Sequence, residues 1–304
     1  MARLEVQNVT KRYDKTYAVR GVSFEAQPGR ILGLLGPNGA GKTSIIRMIT
    51  YITGPDSGAV LLDGKPVGPW SQEQLGYLPE ERGLYKKMKI GDQLVYLAEL
   101  KGVPTAEAKR RVKQWLERFD ASDWYGKKTD ELSKGMQQKA QFISTILHDP
   151  KLVILDEPFS GLDPINAELL EDVIQELKAN GSTILFASHR MESVEQICDD
   201  ICLISKGQKL IEGELREVKR SFGRDTVVLE FDGTPTFLDA MEQQGKIRIS
   251  QRSHHRIEMR LLNGTNPRGI LEQAMTELDD ISRFEVVEPP LREIFVSLVQ
   301  QQES

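Results

Sequence analysis

Only two cysteines, Cys198 and Cys202, occur in 304 residues. Neither has a Cys or His neighbour at metal-ligand spacing, so neither a zinc site nor a disulfide framework is expected. Both read as small buried apolar residues. No apolar stretch approaches the roughly 18 residues that span a bilayer. The opening Met1-Ala2-Arg3-Leu4-Glu5 lacks a signal-peptide pattern, so the chain is expected in the cytoplasm. Positive charge is not in excess. The formal net charge is −5, which argues against a chain that coats nucleic acid. The short run Lys109-Arg110-Arg111 reads as the solvated face of a helix. His254-His255 has no carboxylate or Cys company and reads as a turn between two strands. What remains is 39% hydrophobic and 28% charged. That balance supports a packed core, in one large or two ordinary domains.

The most informative stretch is Gly36-Pro37-Asn38-Gly39-Ala40-Gly41-Lys42-Thr43. It fits the phosphate-binding pattern G-x-x-x-x-G-K-[ST] at every fixed position. The apolar run Ile31 to Leu35 reads as a strand feeding the loop, and Ser44 to Ile52 as the helix leaving it. Glycines let the backbone wrap a phosphate and point N–H groups inward, and the helix N-terminus adds partial positive charge. Lys42 has the reach for the β- and γ-phosphates, and the Thr43 hydroxyl suits Mg²⁺.

Around the loop, Leu4 to Val9, Val22 to Ala26 and Ala59 to Leu62 read as strands. From about Ile90 to His148 the pattern is helical. Val112, Trp115, Leu116 and Phe119 form one apolar stripe, and Leu94, Leu97 and Leu100 are expected to form another. Leu152 to Asp156 is a buried strand ending in Asp156 and Glu157. Asp163-Pro164 starts a helix, and Thr183 to Ser188 is a further buried strand. That alternation indicates a parallel sheet covered on both faces. From near Arg224 the order becomes β-α-β-β-α-β, a ferredoxin-like pattern, followed after Pro289-Pro290 by an amphipathic helix.

Asp156 suits a Walker-B aspartate holding Mg²⁺, and Glu157 suits a general base acting on a water in line with the γ-phosphate. Leu132-Ser133-Lys134-Gly135-Met136-Gln137-Gln138 resembles the signature loop of ATP-binding-cassette (ABC) ATPases. Ser160-Gly161-Leu162-Asp163 resembles that family's D-loop, and His189 matches its switch histidine. Tyr13 matches the aromatic that stacks on adenine. Gly76-Tyr77-Leu78-Pro79-Glu80 matches the segment that usually ends in the Q-loop glutamine. Lys134, Met136 and Glu80 depart from the commonest pattern. Leu78-Pro79-Glu80-Glu81-Arg82-Gly83-Leu84-Tyr85 and the terminal Pro290 to Phe295 are similar to the sodium- and drug-efflux branch of single-cassette ABC ATPases.

The resemblance implies an α/β fold: a P-loop ABC cassette over residues 1–220, with a helical subdomain at about 86–148. A small α+β ferredoxin-like accessory domain would follow over 224–304. It implies ATP and Mg²⁺ as cofactors. The nucleotide would meet Tyr13, Gly36, Pro37, Asn38, Gly39, Ala40, Gly41, Lys42, Thr43 and Ser44. Ser133, Gly135 and Asp163 would join it from a second ABC chain in a head-to-tail dimer. Thr43, Asp156 and Glu80 would hold the metal, and Glu157, His189 and Lys42 would serve catalysis. A separate integral-membrane permease is the implied partner, docking near Glu80 to Met88 with Leu84, Tyr85 and Met88 as contacts. That would hold the chain peripherally on the inner face of the membrane as an exporter subunit, with no nucleic acid expected. The alternative is a soluble ABC ATPase acting on ribosomes or DNA. Ribosome-acting forms usually carry two cassettes, however, and chromosome-acting forms split the cassette with coiled coils. A GTPase would want an Asn-Lys-x-Asp segment, which is missing.

Overall fold

The computed structural model describes residues 2–81, 83–223 and 225–303, so Arg82 and Arg224 lie outside the described residues. The chain divides into two compact units, Met1–Leu215 and Arg216–Ser304.

The first unit opens with β1 (Leu4–Tyr13), β2 (Thr16–Ala26), β3 (Ile31–Leu35), α1 (Lys42–Ile49), β4 (Ser57–Leu62), β5 (Lys65–Pro66) and β6 (Leu75–Leu78). Three helices follow: α2 (Ile90–Leu100), α3 (Thr105–Arg118) and α4 (Lys134–Ile146). The unit continues with β7 (Leu152–Asp156), α5 (Pro164–Ala179), β8 (Thr183–Ser188), α6 (Met191–Ile197), β9 (Asp200–Ser205) and β10 (Gln208–Glu214), and α7 (Leu215–Ser221) runs across the division.

Six strands form one sheet in the order β10-β9-β3-β8-β7-β6, parallel except for β10. The register aligns Leu35 with Ser188, Ala187 with Asp156, and Leu155 with Leu78. Residues just beyond these strand ends therefore emerge side by side, where ligands bind in open α/β sheets. β7 and β8 are buried at every position, which explains why their sequences are apolar runs rather than alternations. A second, antiparallel sheet has the order β2-β1-β4-β5. Leu4, Phe24 and Val60 of this sheet share one core with Leu34, Ile154 and Leu185 of the other and with Ile45 and Ile49 of α1. β1 runs on to Tyr13, four residues past the expected strand, with a register break around Asn8 at φ +48°.

Among the helices, Val112, Leu116 and Phe119 are buried as expected. Leu100 is not: it is 61% exposed. A spacing of three falls about 60° short of a full turn at each step, so Leu94, Leu97 and Leu100 spiral off the buried face. The buried face of α2 is Ile90, Leu94, Val95 and Ala98.

The second unit contains β11 (Thr226–Asp232), α8 (Thr236–Gln243), β12 (Ile247–Arg252), β13 (Arg256–Leu261), α9 (Pro267–Glu277), β14 (Asp280–Val287) and α10 (Leu291–Glu303). Its sheet, β12-β13-β11-β14, is antiparallel throughout. Val227, Leu229, Phe231, Leu238, Met259 and Ile270 belong to its core. Asn266 caps α9, its side chain accepting from the Arg268 N–H at 2.9 Å. His254 and His255 sit in the β12–β13 connection, as expected, but not without carboxylate company: His255 Nδ1 lies 3.0 Å from Asp232 Oδ1.

Cys198 and Cys202 are buried and free, and burial pushes both thiols up. No helix among the described residues is long and apolar enough to cross a membrane.

Candidate nucleotide-binding site

The loop between β3 and α1 is shaped by two glycines that no other residue can replace without a shift. At Gly36, φ +153°, an added Cβ would overlap the Ile204 carbonyl oxygen. At Gly41, φ +111°, it would overlap the Ala18 carbonyl oxygen. Gly41 is also the N-cap of α1, so the helix dipole opens onto the loop. The Lys42 side chain folds back along the loop, donating to Gly36 O at 2.6 Å and Pro37 O at 3.2 Å. Burial lowers its pKa, opposed by the charges of Glu157, Asp156 and Glu80.

A cavity of about 380 Å³ lies on this loop. Residues 38–44 form one wall, and Glu80, Asp156, Glu157 and His189 come from the ends of β6, β7 and β8. Asp156 is 5% exposed. Burial, reinforced by the charges of Glu80 and Glu157, pushes its carboxyl up to about 6. The buried Asp156 and Glu157 and the exposed Glu80 face one lysine, an excess of negative charge that a divalent cation relieves. No group of three or more His, Cys, Asp or Glu among the described residues could hold a metal by itself. That pattern fits Mg²⁺, which takes one or two carboxylates and completes its shell with phosphate oxygens and water.

Glu157 is held by the end of the neighbouring strand β8. Its Oε1 accepts from the His189 backbone N–H at 2.7 Å and lies 2.6 Å from His189 Nδ1. Its Oε2 accepts from Ser188 Oγ at 3.0 Å. The Glu157 backbone is left-handed, φ +49°, which is uncommon for a residue with a side chain. That turn leads the chain out of β7 beside β8.

The remaining expected residues stand elsewhere. Ser133 caps α4, its exposed Oγ accepting from the Met136 N–H at 3.3 Å. A Cβ on Gly135 would come within 3.2 Å of Gly161 O, so α4 begins directly against the segment after Glu157. Asp163 caps α5, accepting from the Asn166 N–H at 2.9 Å. None of Ser133, Gly135 or Asp163 lines the loop cavity. Gly161 and Leu162 line an adjoining cavity of about 290 Å³ that shares Glu80, Glu157 and His189. Tyr13 ends β1, is 42% exposed and has Lys11 Nζ 5.8 Å from its ring centre; it too is outside the loop cavity. Two residues at the site went unread in the sequence. Ala18 lines the cavity, and Ser188 appeared only as the end of a strand.

A family model described as "ABC transporter" matches residues 19–160. The chain is 44% identical to the "Uncharacterized ABC transporter ATP-binding protein YhaQ" of Bacillus subtilis (strain 168), over 97% of this chain and 98% of that one. The chain belongs to the ABC transporter ATP-binding proteins. It is an ATPase of the family that hydrolyses ATP to drive transport, and its fold is the P-loop ABC cassette. It is also 34% identical to the "Nod factor export ATP-binding protein I" of Burkholderia pseudomallei (strain 1710b), covering 81% of this chain and 84% of that relative. Among solved structures, the "ATP binding subunit of ABC transporter" superposes with a TM-score of 0.69 at 32% identity, over 72% of this chain and 93% of that one. A second model, described as "ATP-binding protein DrrA1-3-like, C-terminal domain", matches residues 213–299 of this ABC protein.

Proposed function

We propose that this chain is the ATP-hydrolysing subunit of an ABC exporter and drives a separate membrane permease by closing head-to-tail on a second ABC chain. The observation that carries this reading is the division of the site. Lys42, Asp156, Glu157, Glu80 and His189 meet around one cavity, whereas Ser133 and Gly135 lie outside it. Ser133 is exposed at the N-terminus of α4, where N–H groups and the helix dipole suit a phosphate. A second chain is the natural source of that half.

In this reading the backbone of residues 36–44 and Lys42 bind the phosphates, and Tyr13 stacks on the base. Thr43, Asp156 and Glu80 hold Mg²⁺, which when bound supplies positive charge to the phosphate oxygens. Glu157 takes the proton of the attacking water. His189 meets the γ-phosphate and, with Asp163 of the second chain, reports closure. The assignment of residues 1–220 to the nucleotide-binding domain, with the helical subdomain at about 86–148, and of 224–304 to an accessory domain belongs to the same proposal.

Export is supported by the similarity to a Nod factor export protein and by the DrrA-like match of the C-terminal unit. For the permease, Tyr85 is 57% exposed and Leu84 half-buried beside Glu80. Tyr51, Ile52, Trp70, Tyr96 and Leu100 add exposed apolar surface on the same unit. Hydrogen bonds from Gln72 to Thr50 O and from Lys101 to Gln72 O tie the segments that carry them together. Apolar surface of this extent suits a protein partner. Capture of the chain from native membranes should recover an integral membrane protein, and replacing Leu84 and Tyr85 with Asp should reduce it while sparing ATP binding. Recovery of ribosomes or DNA without a membrane protein would instead favour the soluble ABC alternative.

A further inference from the structure

Ser188 is the last residue of β8 and is 2% exposed. Its Oγ makes two hydrogen bonds, at 3.0 Å to Glu157 Oε2 and at 3.0 Å to the backbone N of Arg190. The Arg190 N–H can only donate, so it occupies a lone pair of the hydroxyl. A carboxylate oxygen accepts, so the hydroxyl hydrogen points to Oε2. The Arg190 bond therefore fixes the Ser188 rotor in the orientation that donates to Glu157.

The two sides of the carboxylate differ. Oε1 already carries two bonds, from the His189 backbone N–H at 2.7 Å and from His189 Nδ1, whose side chain is 54% exposed. Oε2 is bonded by Ser188, which is buried in a strand. β8 is paired to β7 through Ala187 and Asp156, and the Glu157 N–H donates to Ala187 O at 2.9 Å. Ser188 and the Glu157 backbone are thus parts of one rigid ladder. A carboxylate held at both oxygens, Oε1 by the His189 N–H and Oε2 by Ser188, has its plane set, and Oε2, with one bond against two on Oε1, keeps the lone pair open to water.

We propose that Ser188 is a positioning residue for ATP hydrolysis: its hydroxyl occupies one lone pair of Glu157 Oε2, and so sets the direction from which the other meets the attacking water. The proposal rests on the reading of Glu157 as general base. Ser188 acts through Glu157, in the way supporting hydrogen bonds hold a reacting group to its productive geometry.

The test uses the full chain and four variants: Ser188→Ala, Ser188→Thr, Glu157→Gln and the Ser188→Ala/Glu157→Gln pair. Each is assayed for kcat, KM for ATP, ATP affinity and melting temperature. Loss of a hydrogen bond to a charged group predicts kcat lower by about 10- to 100-fold in Ser188→Ala, with KM and ATP affinity unchanged. Ser188→Thr, which keeps the hydroxyl, should recover most of the rate. In the Glu157→Gln background, Ser188→Ala should cost nothing further, because the group it serves is already gone. Unchanged kcat in Ser188→Ala, alongside an inactive Glu157→Gln, would overturn the proposal and leave the base assignment standing. A full additional loss in the double variant, or a loss of ATP affinity matching that in rate, would overturn it in favour of a structural role. Near-normal turnover by Glu157→Gln itself would remove the base assignment and the proposal together.

Discussion

His189 Nδ1 lies 2.6 Å from Glu157 Oε1, across two neighbouring parallel strands. The carboxylate oxygen offers only lone pairs, so Nδ1 carries the hydrogen in this pair. The side chain read as the phosphate sensor is thus bonded to the one read as the base. His189→Ala is expected to lower kcat by at least about tenfold, the scale of one charge-assisted hydrogen bond, and to leave ATP affinity largely intact. Parallel measurement of turnover and ATP binding checks this. Equal loss of both would point to a folding role.

Two glycines of the phosphate loop should respond differently to alanine. Gly41 combines φ +111° with a carbonyl where the Cβ would go, whereas Gly39, at φ +77°, faces open space. Gly39→Ala should cost about 1 kcal/mol, the left-handed penalty alone. Gly41→Ala should cost more, about 1–3 kcal/mol, and should abolish ATP binding because the loop moves away from Ala18. Thermal denaturation and ATP titration of both variants decide the matter. A Gly41→Ala protein that binds ATP normally would contradict the packing described here.

His148 predicts an acid limb of stability. Its Nε2 lies 3.2 Å from Leu75 O and must donate to it, while its buried Nδ1 has no hydrogen-bond partner among the described residues. Burial, helped by Lys101, holds the ring down at about 4 against an ordinary value of 6.5. Between those values the unfolded chain binds the proton that the folded chain refuses. Stability is therefore fully present above pH 6.5 and falls as the pH drops towards 4, by up to about 3 kcal/mol. His148→Gln should flatten that slope in urea titrations across the window; an unchanged slope would assign the acid limb to other groups.

Much of this could be read from local pattern. The phosphate loop, the buried strand ending in Asp156-Glu157 and the Asn266 cap are written in consecutive residues, so spacing alone reveals them. The ferredoxin-like order of the C-terminal unit came from its alternating strands and proline-led helix. Other features depend on which strands become neighbours. Glu157 and Ser188 are 31 positions apart, and nothing in either segment says that β7 and β8 pair in that register. Ala18 reaches the cavity only because β2 passes behind Gly41. Leu100 departs from the expected stripe because a three-residue spacing imitates a stripe over two steps and then rotates away. β9 and β10 were passed over although Ile201-Cys202-Leu203-Ile204 is a buried run. Its flanks, Asp199-Asp200 and the Lys206-Gly207 turn, mark a strand but carry no chemistry of their own.

The most direct measurement is the oligomeric state and turnover of Glu157→Gln with and without ATP and Mg²⁺. Loss of a general base lowers rates by about 10²–10⁴-fold, so the variant should bind ATP and barely hydrolyse it. Held in that state, it should elute from size-exclusion chromatography as an ATP-dependent dimer, and as a monomer without nucleotide. A protein that binds ATP and stays monomeric would contradict a site completed by Ser133 and Gly135 of a second chain, and near-normal hydrolysis would remove Glu157 from the base role.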